Sequence, residues 1–233
     1  MTDVTIAPPA RPVVLRTSIG KKVAMATSGV VLVGFVIAHM IGNLKFFTGE
    51  IHFDEYAHFL RTVGEPVIPY HWLLWGLRGV LLAAVSVHIW AAYSTTVQSR
   101  RARPIPYAHT DTIQASYASR TMRWGGVILL LFIVFHLLDL TIGAAHVGDF
   151  ESGKVYDNSV SGFQNPLVTI SYTLAMGALC LHLFHGIWSM FQTFGANNHR
   201  WTGRLKALSV TIAIATAIGF LSMPWAILFG VRP

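Results

Sequence analysis

The sequence predicts an all-α membrane protein in which five transmembrane helices form an up-down bundle, with the N-terminus in the cytoplasm and the C-terminus outside. Three observations lead there. Apolar residues make up 53% of the 233 and charged ones only 12%, about half the charge of a soluble domain, and the mean hydropathy is +0.53. The apolar residues gather into five stretches, each reaching the roughly 20 residues that cross about 30 Å of hydrocarbon as a helix. Basic residues collect at alternate ends of those stretches.

The chain reads as a single membrane domain over residues 1–233. Residues 1–20 are polar, Pro-containing and basic, without a short apolar core and small-residue cleavage site, so they read as a cytoplasmic segment rather than a removable signal. The spans are expected at residues 23–41, 72–95, 124–142, 166–194 and 207–230; Arg78 and Asp139 are the only formally charged residues inside them. Residues 53–61 read as a short helix on the outer surface. Trp72, Trp75, Trp124 and Trp201 sit near span ends, where an interfacial aromatic belt explains them. Gly29, Gly34, Gly76, Gly79, Gly125, Gly126 and Gly177 permit close approach of helices or of a cofactor. The single cysteine, Cys180, lies in the fourth span and excludes an intrachain disulfide.

Orientation follows from charge. Arg11, Arg16, Lys21 and Lys22 precede the first span, Arg100, Arg101, Arg103, Arg120 and Arg123 fill the second connection, and Arg200, Arg204 and Lys206 fill the fourth. By the positive-inside rule these ends face the cytoplasm. The other two connections carry Glu50, Asp54, Glu55, Glu65, Asp149, Glu151 and Asp157 against Lys45, Arg61 and Lys154, and face outward. The formal net charge of +7 is then accounted for by lipid headgroups and cytoplasmic partners, with no nucleic acid required.

The chemistry is carried by His39, His88, His136 and His182, one in each of the first four spans. An ionisable side chain in hydrocarbon costs several kcal/mol and marks a functional site by default, and neutral imidazole is an axial ligand for haem iron. Counting 1.5 Å per residue from the cytoplasmic ends puts His39 and His136 roughly 24 and 18 Å up, and His88 and His182 roughly 11 and 17 Å up. Matched heights pair His39 with His136 as an outer set and His88 with His182 as an inner set, enough for two stacked haems. The spacings of 49, 48 and 46 residues are those of one histidine per helix in an up-down bundle. A single intramembrane histidine is as readily explained by a hydrogen bond to a neighbouring helix; four at matched depths are not. His185 follows His182 by three residues on nearly the same face, and spacing alone does not choose between them.

The segments LHLFHGIWSMFQTFGANN, residues 181–198, and HMIGNLKFFTG, residues 39–49, together with YAHFLRTVGEP, residues 56–66, resemble the cytochrome b558-type membrane subunit of succinate:quinone oxidoreductase. The likeness runs over the whole chain and includes the five-helix plan. In that family the fourth-helix ligand precedes an x-x-x-G-x-W pattern, which here selects His182, with Gly186 and Trp188, and leaves His185 as the backup; the family's pairing of helix one with three and two with four agrees with the depths. The resemblance implies a subunit of respiratory complex II in a bacterial cytoplasmic membrane. A flavoprotein and an iron–sulfur subunit on the cytoplasmic side would pass electrons through haem b to quinone, with menaquinone as the implied acceptor. The chain has no nucleotide-binding glycine fingerprint and too few cysteines for an iron–sulfur cluster, so dehydrogenase catalysis lies elsewhere. Its basic loops serve as a docking surface for the iron–sulfur subunit or simply as topological anchors.

Glu65, Arg78 and Asp139 are the polar residues nearest the outer pair and the candidates for quinone; a carboxylate there could protonate a reduced quinone, or Arg78 and Asp139 could be an ion pair between helices two and three. A Glu stands two residues before the fourth-helix ligand in some di-haem fumarate reductases, as a proton route; here Cys180 stands there, so that route is expected to be missing. Two other readings remain, a cytochrome b serving a different quinone-linked dehydrogenase and a non-redox transporter or structural bundle with polar histidines, beside a variant of the first reading in which the anchor is haem-free and uses another cofactor.

Overall fold

The computed structural model describes residues 17–102 and 117–233, with side chains from residue 121 onward in the second stretch. Arg11, Arg16, Arg103 and the side chain of Arg120 lie outside the described residues. Seven α-helices and no strands occur among them: α1 Ser18–Asn43, α2 Glu50–Thr62, α3 Trp72–Arg101, α4 Tyr117–Leu137, α5 Val155–Phe163, α6 Pro166–Thr193 and α7 Thr202–Leu228. Five stretches are long and apolar enough to cross a membrane: Ser18–Thr48, Trp72–Arg101, Thr121–Ile142, Pro166–Thr193 and Thr202–Leu228.

The third and fourth expected spans are met closely, and α3 begins at the residue where its apolar run begins. The first and last start earlier than hydropathy indicates; for the first, a cap rather than apolarity sets the start. Thr17 Oγ1 accepts the Gly20 N–H at 3.0 Å, so α1 carries Lys21 and Lys22 on its first turns, as a helix emerging from the headgroups does. Asn165 caps α6 in the same way and Pro166 occupies its first position, where the missing N–H costs nothing. The outer-surface helix expected at 53–61 is α2, slightly longer at Glu50–Thr62. Helix α5 was not foreseen, and neither were the 3-10 turn Leu44–Thr48 and the π turn Leu138–Ile142 that extend α1 and α4.

Helix α6 is central, packing along α7 and α4 and also against α1, whereas α3 lies along α1. Large apolar side chains in mid-span are exposed, among them Leu82 (67%), Leu131 (66%), Leu174 (69%) and Ile218 (64%). A surface of that kind is stable facing lipid.

At one end of the bundle, Lys21 Nζ donates to Gln98 Oε1 at 3.2 Å and ties the start of α1 to the end of α3. At the other, Phe46, Phe53, Tyr156, Phe163, Val168, Tyr172, Met223 and Ile227 form an apolar core beneath α2 and α5. Phe46 stacks on Tyr156 at 5.1 Å, the Tyr156 N–H donates to Asp54 Oδ1 at 3.0 Å, and the Tyr156 hydroxyl donates to the Pro233 carbonyl at 3.1 Å. This cap fixes the turn of chain after α4, and with it the surroundings of Asp139.

Candidate intramembrane histidine site

The bundle brings the four histidines together two by two. The His39 and His136 rings have centroids 5.8 Å apart at 80°, and those of His88 and His182 are 6.1 Å apart at 56°. Neither α1 with α4 nor α3 with α6 is among the closely packed helix pairs, so each pair reaches across a gap between helices that do not touch extensively. His185 instead has Nε2 3.4 Å from Ser189 Oγ, a residue of its own helix.

Each pair sits in apolar and aromatic surroundings. Phe35, one turn before His39, stacks on it at 5.4 Å and 13°, and Phe220 of α7 tilts against it at 5.8 Å. Phe132, one turn before His136, lies 5.8 Å from that ring. His88 lies over α1 where Gly29 leaves room: a Cβ there would stand 3.6 Å from its Cε1. Its Nδ1 is 3.1 Å from the Met25 carbonyl. Ser28 Oγ, 3.4 Å away, gives its own proton to the carbonyls of Ala24 and Met25. The bond to Met25 requires the proton on Nδ1 and leaves Nε2 bare.

His182 presents a different signature, since its Nδ1 is buried without a hydrogen-bond partner. Buried polar atoms are rarely left so, because the lost hydration costs about 1–3 kcal/mol. The ring lines a cleft of about 270 Å³ between α4 and α6, walled by Met122, Trp124, Gly125, Ile128, Ala178 and Leu181 among others.

These residues fit haem iron on three counts. Two imidazoles on opposite sides of one metal, each bonded at about 2.0 Å, hold their centroids about 6.3 Å apart, close to both observed separations. No group of three or more metal-ligating side chains occurs among the described residues, so neither pair is part of a larger protein-built metal cluster, and each offers two imidazoles alone. Open space lies beside Gly125 and Gly126, the first in the wall of the cleft that His182 lines, where an added Cβ would meet nothing within 4 Å.

The three quinone candidates are not brought together. Glu65 is exposed on the connection between α2 and α3, and the exposed Arg78 guanidinium sits 4.8 Å over the Trp75 ring. Asp139, in contrast, is 1% exposed, and the ion pair with Arg78 considered from sequence is not made: its Oδ1 takes Nδ1 of His146 at 2.8 Å and its Oδ2 takes the Tyr172 hydroxyl at 2.8 Å. The physical reason is that α3 does not pack closely on α4, while the chain reverses at Gly143, φ +81°, and returns His146 to the carboxylate. Sequence reasoning missed both His146 and Tyr172. Only the spacing of Asp139, Gly143 and His146 about a glycine reversal hinted at the first.

Five spans long and apolar enough to cross a membrane, with histidine rings paired between them, define a multi-pass membrane protein. The family described as "Succinate dehydrogenase/Fumarate reductase transmembrane subunit" matches residues 99–221, more than half of the chain, and the chain belongs to that family. It is therefore a membrane subunit that associates with the other subunits of a succinate dehydrogenase or fumarate reductase complex. The matched stretch contains His136, His182 and Asp139, while His39 and His88 precede it. No curated protein and no solved structure matches the chain.

Proposed function

We propose that this chain is the cytochrome b anchor of a succinate:quinone oxidoreductase, holding two b-type haems and passing electrons from an iron–sulfur subunit to quinone, with menaquinone as the acceptor. His39 and His136 hold the outer haem, and His88 and His182 the inner one. The observation that carries the reading is the pair of cross-gap ring separations, 5.8 and 6.1 Å, on helices that leave space between them. When bound, each haem supplies a one-electron ferric/ferrous couple, which no side chain here could offer.

The residues do the rest. The Met25 carbonyl holds the His88 ring by Nδ1 and so points its other nitrogen across the gap. The lipid-facing leucines exclude water and keep the field around each iron low in dielectric. The end of the bundle bearing Arg100, Arg101, Arg123, Arg200, Arg204 and Lys206 is the cytoplasmic face on which the flavoprotein and iron–sulfur subunits dock, in a bacterial cytoplasmic membrane. Asp139, Arg78 and Glu65 stand at the opposite half as the groups nearest an outer quinone. Membership of the family favours succinate or fumarate over any other quinone-linked substrate.

Affinity purification of the tagged chain from its native membrane tests this. The expected result is copurification of a covalent flavoprotein and an iron–sulfur protein, with succinate-dependent reduction of a b-type α band. Copurification with a formate- or hydrogen-oxidising enzyme instead would contradict it.

A further inference from the structure

From the outer histidine pair a buried polar chain runs on past the end of α4 into the π turn that follows it. His136 Nδ1 lies 3.3 Å from the Tyr172 hydroxyl, and that hydroxyl is 2.8 Å from Asp139 Oδ2. Asp139 Oδ1 is 2.8 Å from Nδ1 of His146, whose Nε2 is 3.0 Å from Ser161 Oγ. The Asp139 and His146 side chains are each 1% exposed. The fold makes room for this contact: a Cβ at Gly143 would overlap the Phe150 ring, and one at Gly162 would stand 2.9 Å from His146 Cε1.

Proton counting gives the chain a direction. A phenol has a single proton, and Tyr172 gives it to the carboxylate, which only accepts. The oxygen therefore shows His136 a lone pair, and the two groups bond only if Nδ1 of His136 carries a hydrogen. That tautomer leaves Nε2 free. The carboxylate's second oxygen is taken by the N–H of His146, so Asp139 cannot turn away to another donor. The inner pair lacks this arrangement: His88 donates to a neutral peptide carbonyl, and Nδ1 of His182 has no partner.

We infer that Tyr172, Asp139 and His146 are positioning residues that lock His136 in its ligating tautomer and, through the carboxylate, make it a stronger donor than His88, so that the haem on the His39/His136 pair has a lower midpoint potential than it would have without them. Pulling electron density toward Nε2 favours the ferric state, the usual effect of a carboxylate behind a ligating histidine. The inference rests on the two-haem reading above.

Tyr172→Phe in the intact complex is the test, because the Phe ring keeps its edge contacts with Phe132 and Phe163 and loses only the hydroxyl. Asp139→Asn, of the same size, serves if the first variant does not assemble. Redox titration and low-temperature EPR follow each haem separately, with the haem deleted by His136→Ala marking the outer one. The expected result is a rise in the midpoint potential and a shifted low-spin signal for that haem alone, the other unchanged. Two haems with unmoved potentials, or equal shifts in both, would overturn the inference and leave the haem assignment standing. A wild-type complex without haem would overturn both.

Discussion

A histidine inside a membrane helix is legible because the helix is a ruler: 1.5 Å per residue converts position in the chain into depth to within about a turn, which sets His39 above His88 but leaves His136 and His182 nearly level, so the pairing is settled by how the helices pack. His39 with His136 and His88 with His182 are the pairs whose rings lie near each other. Side-chain partners supplied by turns have no such ruler. Asp139 was visible as an odd charge in an apolar run, but its partner depends on a reversal at Gly143 and on a tyrosine from another helix. Both ligand pairings lead to one substitution series. His39→Ala and His136→Ala should each remove the same haem, His88→Ala and His182→Ala the other, and His185→Ala neither, measured by haem content and EPR of the purified complex. Loss of one haem by both His39→Ala and His88→Ala would sink the assignment.

At the scale of elements, apolar helices were readable from composition and the polar ones were not. Helix α5 holds Asp157, Asn158, Ser159 and Ser161, which read as a loop, yet Asn158 and Ser159 are buried. Their polarity is consumed locally: the Asn158 side chain both accepts from and donates to the Glu151 backbone, at 3.0 and 2.8 Å, and Ser159 donates to the Val155 carbonyl at 2.8 Å. The π turn Leu138–Ile142 is equally silent in sequence, though such turns recur at functional sites, and here it carries Asp139. Gly143 ends it in the left-handed region against Phe150. Gly143→Ala is therefore expected to cost roughly 1–2 kcal/mol from backbone strain alone, with more from the overlap. A fall in the melting temperature of the purified complex checks this, and an unchanged value would contradict it.

For the whole molecule, the fold class and the five spans were readable because lipid demands long, internally bonded apolar helices and little else. What remained hidden is how the spans associate. Hydropathy has no term for which helix is central, and the central one, α6, buries small, polar and large residues alike along its length, from Thr169 and Tyr172 to Leu183 and Ile187. The proposed orientation rests on charge and is testable directly. In intact cells a membrane-impermeant thiol reagent should label Lys154→Cys, and should reach Arg101→Cys only after permeabilisation; the reverse pattern would invert the topology. Everything at this scale turns on whether the two gaps between helices hold haem. The pyridine haemochrome assay on the purified complex measures that most directly: two b-type haems per chain is the expected result, and a complex active with succinate but free of haem would contradict the account.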